Sequence, residues 1–274
     1  MIKDLLLVVD YDRDDDAIIK GVVQFARERQ AQLAVMIVAA EPVPDYHMSV
    51  YPPFITLDEY REKTKAKEAA IRGHAERGGM EVEVRILSDT VQALLDETPA
   101  QTRYADLVIF GPVESWGDRW LRRRVLENVV LGSGRPVLLI PADGATPAFQ
   151  RIMIGWNASA EATRAVQIAL AYLESGAEVT VVTINAEDAK ADHGSEAGTH
   201  LGCHLSRHGL QVDVMNAAAP SGNEAEALRD LARGRGADLL VLGAFARSRL
   251  RELIFGGVTH DIIENGNVPV LLMH

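Results

Sequence analysis

Residues Gly243–Thr259, GAFARSRLRELIFGGVT, combine residue types and a spacing that can hold an anion. Glycines at 243, 256 and 257 let backbone N–H groups approach a ligand closely. The apolar helical pattern that follows Gly256-Gly257 offers a helix N-terminus, with unpaired donors and the positive end of the dipole. Arg247 adds a cation within the loop. A tight strand-to-helix turn calls for the same glycines, so this stretch alone leaves both readings open.

Other groupings invite chemistry and have plainer explanations. The run Asp10–Asp16, DYDRDDD, suggests a cation site, but an EF-hand loop begun at Asp10 needs glycine at Asp15 and glutamate at Gly21. An acidic helix start that complements the dipole accounts for it better. Glu196, His200, His204 and His208 recur every four residues beside Cys203. Two imidazoles one turn apart can chelate Zn²⁺, and a solvated helix face has the same spacing; no metal site is expected beyond this stripe. Cys203 has no activating neighbours in the pattern and reads as structural. Arg119, Arg122, Arg123 and Arg124 with Trp116 and Trp120 resemble a stacking platform for nucleic acid. In a chain of net charge −11, salt bridges to the acidic turn or to the other half of the chain account for these arginines better. Trp156, next to Asn157, either flanks a planar ligand or packs in the core. No G-x-S-x-G, H-E-x-x-H or G-x-x-x-x-G-K-[ST] pattern is present, and no catalytic residue is nominated.

Composition narrows the class. The chain has 274 residues, 47% hydrophobic and 24% charged, enough for two cores. Its single cysteine excludes an internal disulfide framework and fits a reducing compartment. No apolar run approaches about 18 residues, and MIKDLLLVVDYD lacks the basic start of a signal peptide, so a cytoplasmic protein is expected. The acidic balance disfavours nucleic acid and anionic membrane as partners.

The elements that must position these residues come in two copies. Leu5–Asp10 and Ile152–Asn157 are apolar runs ending in Asp or Asn; each precedes a polar turn and a helical pattern, Ala17–Arg29 and Ala160–Leu173. Leu33–Ala39 and Val179–Ile184 are second apolar runs. Ala105–Gly111 and Ala237–Gly243 share an Ala-Asp-apolar-Gly order. Arg135–Ile140 and Val268–Met273 share Pro-Val-Leu-Leu. The repeat predicts two domains, 1–142 and 149–274, joined around Pro141–Pro147. Continuous apolar strands alternating with helices imply doubly wound parallel sheets covered on both faces, with ligands outside the carboxyl ends of the strands. Asp10, Gly111, Asn157 and Gly243 fall at such ends. Mutual pairing of Pro136–Ile140 and Pro269–His274 would cover two exposed edges. The copies differ most in Glu41–Lys67, a proline- and tyrosine-bearing insertion that reads as loop embroidery, a lid or an interdomain contact.

Taken together, these patterns resemble the universal stress protein family in its tandem form. The family's nucleotide-binding signature is Gly, two residues, Gly, nine residues, then Gly followed by Ser or Thr. Gly243, Ala246 and Gly256 take its three positions here, Gly257 stands where Ser or Thr is usual, and Val258-Thr259 continue it. The resemblance implies two Rossmann-like domains of the adenine nucleotide alpha hydrolase type, related by pseudo-twofold symmetry. It also implies an adenine nucleotide, ATP or a relative, with or without Mg²⁺, held in the second domain as a stress-response signal. Asn157, where the family usually has Asp, would meet the ribose or base. The backbone of Ile184 would meet adenine, and Gly243, Ala246, Arg247, Gly256, Gly257, Val258 and Thr259 would line the phosphates. In the first repeat the corresponding positions are Arg123-Arg124 and, near Ala246, Glu114, so that copy is expected to be degenerate although Asp10 is kept. An intramolecular pseudo-dimer, compatible with a homodimer, follows. A ligand-free interaction scaffold and a slow ATP-hydrolysing enzyme stand as alternatives.

Overall fold

The computed structural model describes residues 2–41, 56–173, 176–185, 196–219, 222–244 and 257–274. The chain divides into two compact units, residues 2–135 with 142–144, and residues 136–141 with 145–274. No helix among the described residues is long and apolar enough to cross a membrane.

In the first unit, β1 (Asp4–Asp10) lies between β2 (Gln32–Ala40) and β4 (Leu107–Phe110), and β3 (Val82–Asp89) pairs with β2; all pairings are parallel. Every residue of β1 after Asp4 is buried, as a strand covered on both faces requires. Helix α1 (Asp16–Arg29) buries Ile18, Ile19, Val22, Val23, Phe25 and Ala26 at helical spacing, and ends where Gln30 turns left-handed. Helix α2 (Leu57–Arg77) starts at a capping box. The Glu59 N–H donates to the Thr56 hydroxyl at 3.2 Å, and the Thr56 N–H donates to the Glu59 carboxylate at 2.8 Å. Helices α3 (Val91–Thr102) and α4 (Arg119–Gly132) complete the unit. The Asp118 side chain caps α4, accepting from the N–H groups of Trp120 and Leu121.

The second unit repeats the plan with β6 (Arg151–Gly155), α5 (Ala160–Tyr172), β7 (Glu178–Ile184), α6 (Glu196–Arg207), β8 (Gln211–Ala217), α7 (Glu224–Gly234), β9 (Leu239–Gly243), α8 (Gly257–Asn265) and β10 (Val270–Met273). Its strands run in the order β10-β9-β6-β7-β8, all parallel. It also takes in β5 (Val137–Leu139), the last strand of the first repeat, antiparallel to β10 with Leu138 opposite Leu271. The expected pairing of the two Pro-Val-Leu-Leu strands is therefore present.

The repeated Ala-Asp has a structural cause. The Asp106 carboxylate accepts the N–H groups of Lys3 and Asp4, at 2.7 and 3.1 Å. The Asp238 carboxylate accepts those of Phe149, Gln150 and Arg151, at 3.1, 3.0 and 2.9 Å. In each unit the fourth strand's leading carboxylate pins the start of the first strand, satisfying donors that have no ladder partner yet. Within the Glu41–Lys67 insertion, the lid and contact readings fall on residues 42–55, which lie outside the described residues; its charged portion opens α2.

Candidate functional site

Strand order reverses beside β6, which is followed in sequence by β7 on one side and flanked by β9 on the other. The carboxyl ends of β6 and β9 therefore border a topological switch point, where open α/β sheets bind ligands. Asn157 lies just beyond β6, Ile184 ends β7 and Gly243 ends β9, so the structure brings these three expected residues to one edge of one sheet. The exposed Asn157 accepts the Ser159 N–H on its Oδ1 at 3.1 Å, and its Nδ2 has no partner among the described residues. Ser159 in turn caps α5 by accepting the Ala162 N–H. Two non-glycine residues with left-handed backbone sit at this edge, Ala158 (φ 55°) after β6 and Asn185 (φ 50°) after β7. Such conformations are held by their surroundings and cluster at binding sites. Trp156 extends β6 through its N–H to the Val182 carbonyl, 2.8 Å, and its buried indole N–H has no partner among the described residues.

Gly243 answers to packing. A Cβ there would collide with the backbone of Ala162 and lie 2.7 Å from the Glu161 carbonyl carbon, in the first turn of α5. The glycine thus lets β9 and α5 touch, with the ligand as a second beneficiary at most. Ala244 follows, buried, its N–H on the Met273 carbonyl at 2.8 Å and its own carbonyl 3.0 Å from His274 Nδ1. Ala246, Arg247 and Gly256 lie outside the described residues. Gly257 opens α8, with Val258 half-buried and Thr259 buried in its first turn. Arg229 of α7 fixes this helix, reaching the Asp261 carboxylate at 2.8 Å and the Asn265 carbonyl at 3.3 Å.

At the corresponding edge of the first unit the Asp10 carboxylate and the Gly111 carbonyl are engaged, while the buried Trp116 indole N–H has no partner among the described residues. Asp10 is 4% exposed, and its carboxylate takes the N–H of Gly117 from the segment after β4. Burial pushes the Asp10 carboxyl above its ordinary value, against the N–H groups of Gly117, Asp12 and Tyr11, which favour the charged form. Trp116 is buried and stacked on Phe110, with ring centroids 6.3 Å apart. Arg122 is 1% exposed and donates from Nε and Nη2 to the Gly111 carbonyl at 3.2 and 2.8 Å. The sequence pointed to Arg123-Arg124 as the obstruction, and here the structure differs. Those two turn to Glu127 on their own helix, at 2.8 and 3.3 Å, while Arg122 faces inward.

The acidic turn is held by α2. Lys63 pairs with Asp12; Lys67 pairs with buried Asp15 and donates to the Arg13 carbonyl at 2.6 Å. His74 Nε2 lies 2.8 Å from the Asp16 carboxylate, and its Nδ1 accepts from Arg77, which can only donate. Lys63, Lys67 and His74 share one stripe of α2, so a cation arriving at this turn would compete with three built-in partners. Burial pushes the Asp15 carboxyl up, opposed by Lys67. Burial, with the charges of Asp12 and Asp10, pushes Tyr11 up to about 12.

Two sequence alternatives do not take shape as surfaces. With Trp116 and Arg122 buried, the aromatic-basic group is no platform, and Trp120 is its exposed aromatic at 55%. His200, His204 and His208 are exposed. His200 is 3.9 Å from Glu196, the rings of His204 and His208 are 4.8 Å apart, and His208 lies past the end of α6. Among the described residues no group of three His, Cys, Asp or Glu is arranged to hold a metal ion. Cys203 is exposed and not a core residue.

A mostly parallel sheet, with strand order reversed beside β1 and again beside β6 and helices in the crossovers, makes this a doubly wound α/β protein of Rossmann-like type. The sequence profile described as Universal stress protein family matches residues 1–141 and 207–274, and the chain belongs to that family. It is 24% identical over 150 residues to universal stress protein Slr1230 of Synechocystis sp., a match covering 53% of this chain and 49%, about half the length, of that relative. Among solved structures it is similar to a universal stress protein from Archaeoglobus fulgidus, at 15% identity, covering 98% of this chain and 95% of that one with a TM-score of 0.68. A putative universal stress protein from Pseudomonas aeruginosa is similar at 14% identity, with coverage of 99% and 93% and a TM-score of 0.58. These likenesses extend the shared fold across the chain.

Proposed function

We propose that the second unit binds an adenine nucleotide, ATP or a relative with or without Mg²⁺, as a cytoplasmic stress-response module with no dedicated catalysis. The observation that carries this reading is the switch point beside β6, with Asn157 Nδ2 unpartnered among the described residues and α8 opening at Gly257. The residues fit such a ligand. Asn157 would meet the ribose or base with neutral hydrogen bonds, and the backbone of Ile184 would meet adenine. Gly243, Ala246, Arg247, Gly256, Gly257, Val258 and Thr259 would surround the phosphates, whose charge suits a helix N-terminus and Arg247. The buried indole N–H of Trp156, without a partner among the described residues, supports a polar group close to this edge. Bound nucleotide supplies a charged, occupancy-dependent clamp; the chain's own groups bind and orient it. The first unit does not fit, since Gly117 takes the Asp10 carboxylate and Arg122 takes the Gly111 carbonyl.

The reading is tested by denaturing freshly purified protein, chromatographing what is released, and measuring the thermal shift on adding millimolar ATP·Mg²⁺. Released adenine nucleotide, or a rise in Tm with ATP, is expected, because a ligand that binds only the folded state stabilises it. Neither release nor a shift would favour a ligand-free interaction scaffold.

A further inference from the structure

Strand β3 ends the sheet of the first unit: it pairs with β2, and no strand among the described residues pairs with its outer edge. It contains no proline, and Ile86 on it is 43% exposed. Glu83 and Arg85 stand two residues apart on one face of the strand, linked by hydrogen bonds of 2.7 and 3.0 Å, with side chains 61% and 35% exposed. Charges on an edge strand ordinarily repel foreign strands. Here their order also makes the edge complementary to itself.

Two copies of one strand, paired antiparallel about a twofold axis, place residue i opposite j with i + j constant and both side chains on the same face. Centring on Val84 sets Glu83 opposite Arg85 twice and Val82 opposite Ile86 twice. Centring on Val82 sets Glu81 against Glu83, and centring on Ile86 sets Glu83 against Asp89. Centring on Glu83 or on Arg85 sets each against itself. Centring on Leu87 sets Arg85 against Asp89, whose carboxylate already accepts the Thr90 N–H at 2.6 Å, and sets apolar Ile86 against Ser88. Like charges directly opposite are destabilising and opposite charges stabilising, so the register centred on Val84, which matches both its charged and its apolar pairs, is favoured. The outer strand of the second unit, β8, has Asp213 as its one charged residue, already 2.7 Å from Arg235, and offers no such pairing in any register.

We propose that a second copy of this chain docks on the outer edge of β3, antiparallel and centred on Val84, with Glu83 of each copy facing Arg85 of the other. The surface is separate from the nucleotide site, so the two readings stand or fall independently. The test uses the full chain and light scattering after size-exclusion chromatography. The wild type is expected at twice its 29.9 kDa mass. E83R and R85E each weaken the dimer by roughly tenfold or more, since both cross-strand pairs become repulsive. Circular dichroism confirms that each variant is folded. An equimolar mixture of E83R, which presents two cations, and R85E, which presents two anions, recovers the dimer mass. A monomeric wild type, variants that dimerise like the wild type, or a mixture that stays monomeric would each overturn the proposal.

Discussion

At the carboxyl end of β1, Asp10 accepts the Gly117 N–H in a place where it is 4% exposed, whereas Asn157 at the matching end of β6 is exposed, its amide N–H without a partner among the described residues. The difference has a titration consequence. Burial raises the Asp10 carboxyl above its ordinary 3.8, so between that value and its folded value the folded chain holds more protons than the unfolded chain. Stability contributed by Asp10 therefore falls as pH rises through that window. Asp10→Asn removes the titration and keeps an amide oxygen to accept from Gly117. The variant is expected to match or exceed the wild type at neutral pH, with the advantage shrinking on acidification to about pH 4, as more of the folded-state carboxyl takes up its proton. Urea midpoints at the two pH values check this; an advantage that grows on acidification would contradict it.

Among the elements, the contact of β9 with α5 sets the shape of the candidate edge. Gly243→Ala would drive a methyl group into the Ala162 backbone, and a loss of about 1–3 kcal/mol is expected from forced overpacking. Because the cause is packing, urea unfolding should show the loss with and without ATP. If Gly243 served the ligand alone, the loss would appear only in the presence of ATP. Most elements were legible in the sequence because strands covered on both faces read as continuous apolar runs such as Leu5–Val9 and Leu239–Leu242. The clamp of α2 on the acidic turn was not legible. Its partners lie 51, 52 and 58 residues apart, and no local pattern ties Lys63, Lys67 and His74 to Asp12, Asp15 and Asp16. The sequence singled out Arg123-Arg124, whereas the arginine that reaches the Gly111 carbonyl is Arg122. One step along a helix turns a side chain by roughly 100°, the difference between facing Gly111 and facing Glu127.

For the whole molecule, two copies of one supersecondary plan have diverged in how they treat the same edge. The repeat, the parallel sheets and the terminal-strand pairing could be read from the chain because each copy restates the other's pattern. The engagement of Asp10 by Gly117 and of the Gly111 carbonyl by Arg122 could not be read from it, because those contacts come from folding back over β1 and β4. One nucleotide site per chain is therefore predicted. Calorimetric titration of nucleotide-free protein with ATP·Mg²⁺ measures this directly, with Asn157→Ala and Asp10→Ala as paired variants. One equivalent for the wild type, weakened by Asn157→Ala and unchanged by Asp10→Ala, is the predicted result. Two equivalents, or one equivalent lost with Asp10→Ala and kept with Asn157→Ala, would contradict it.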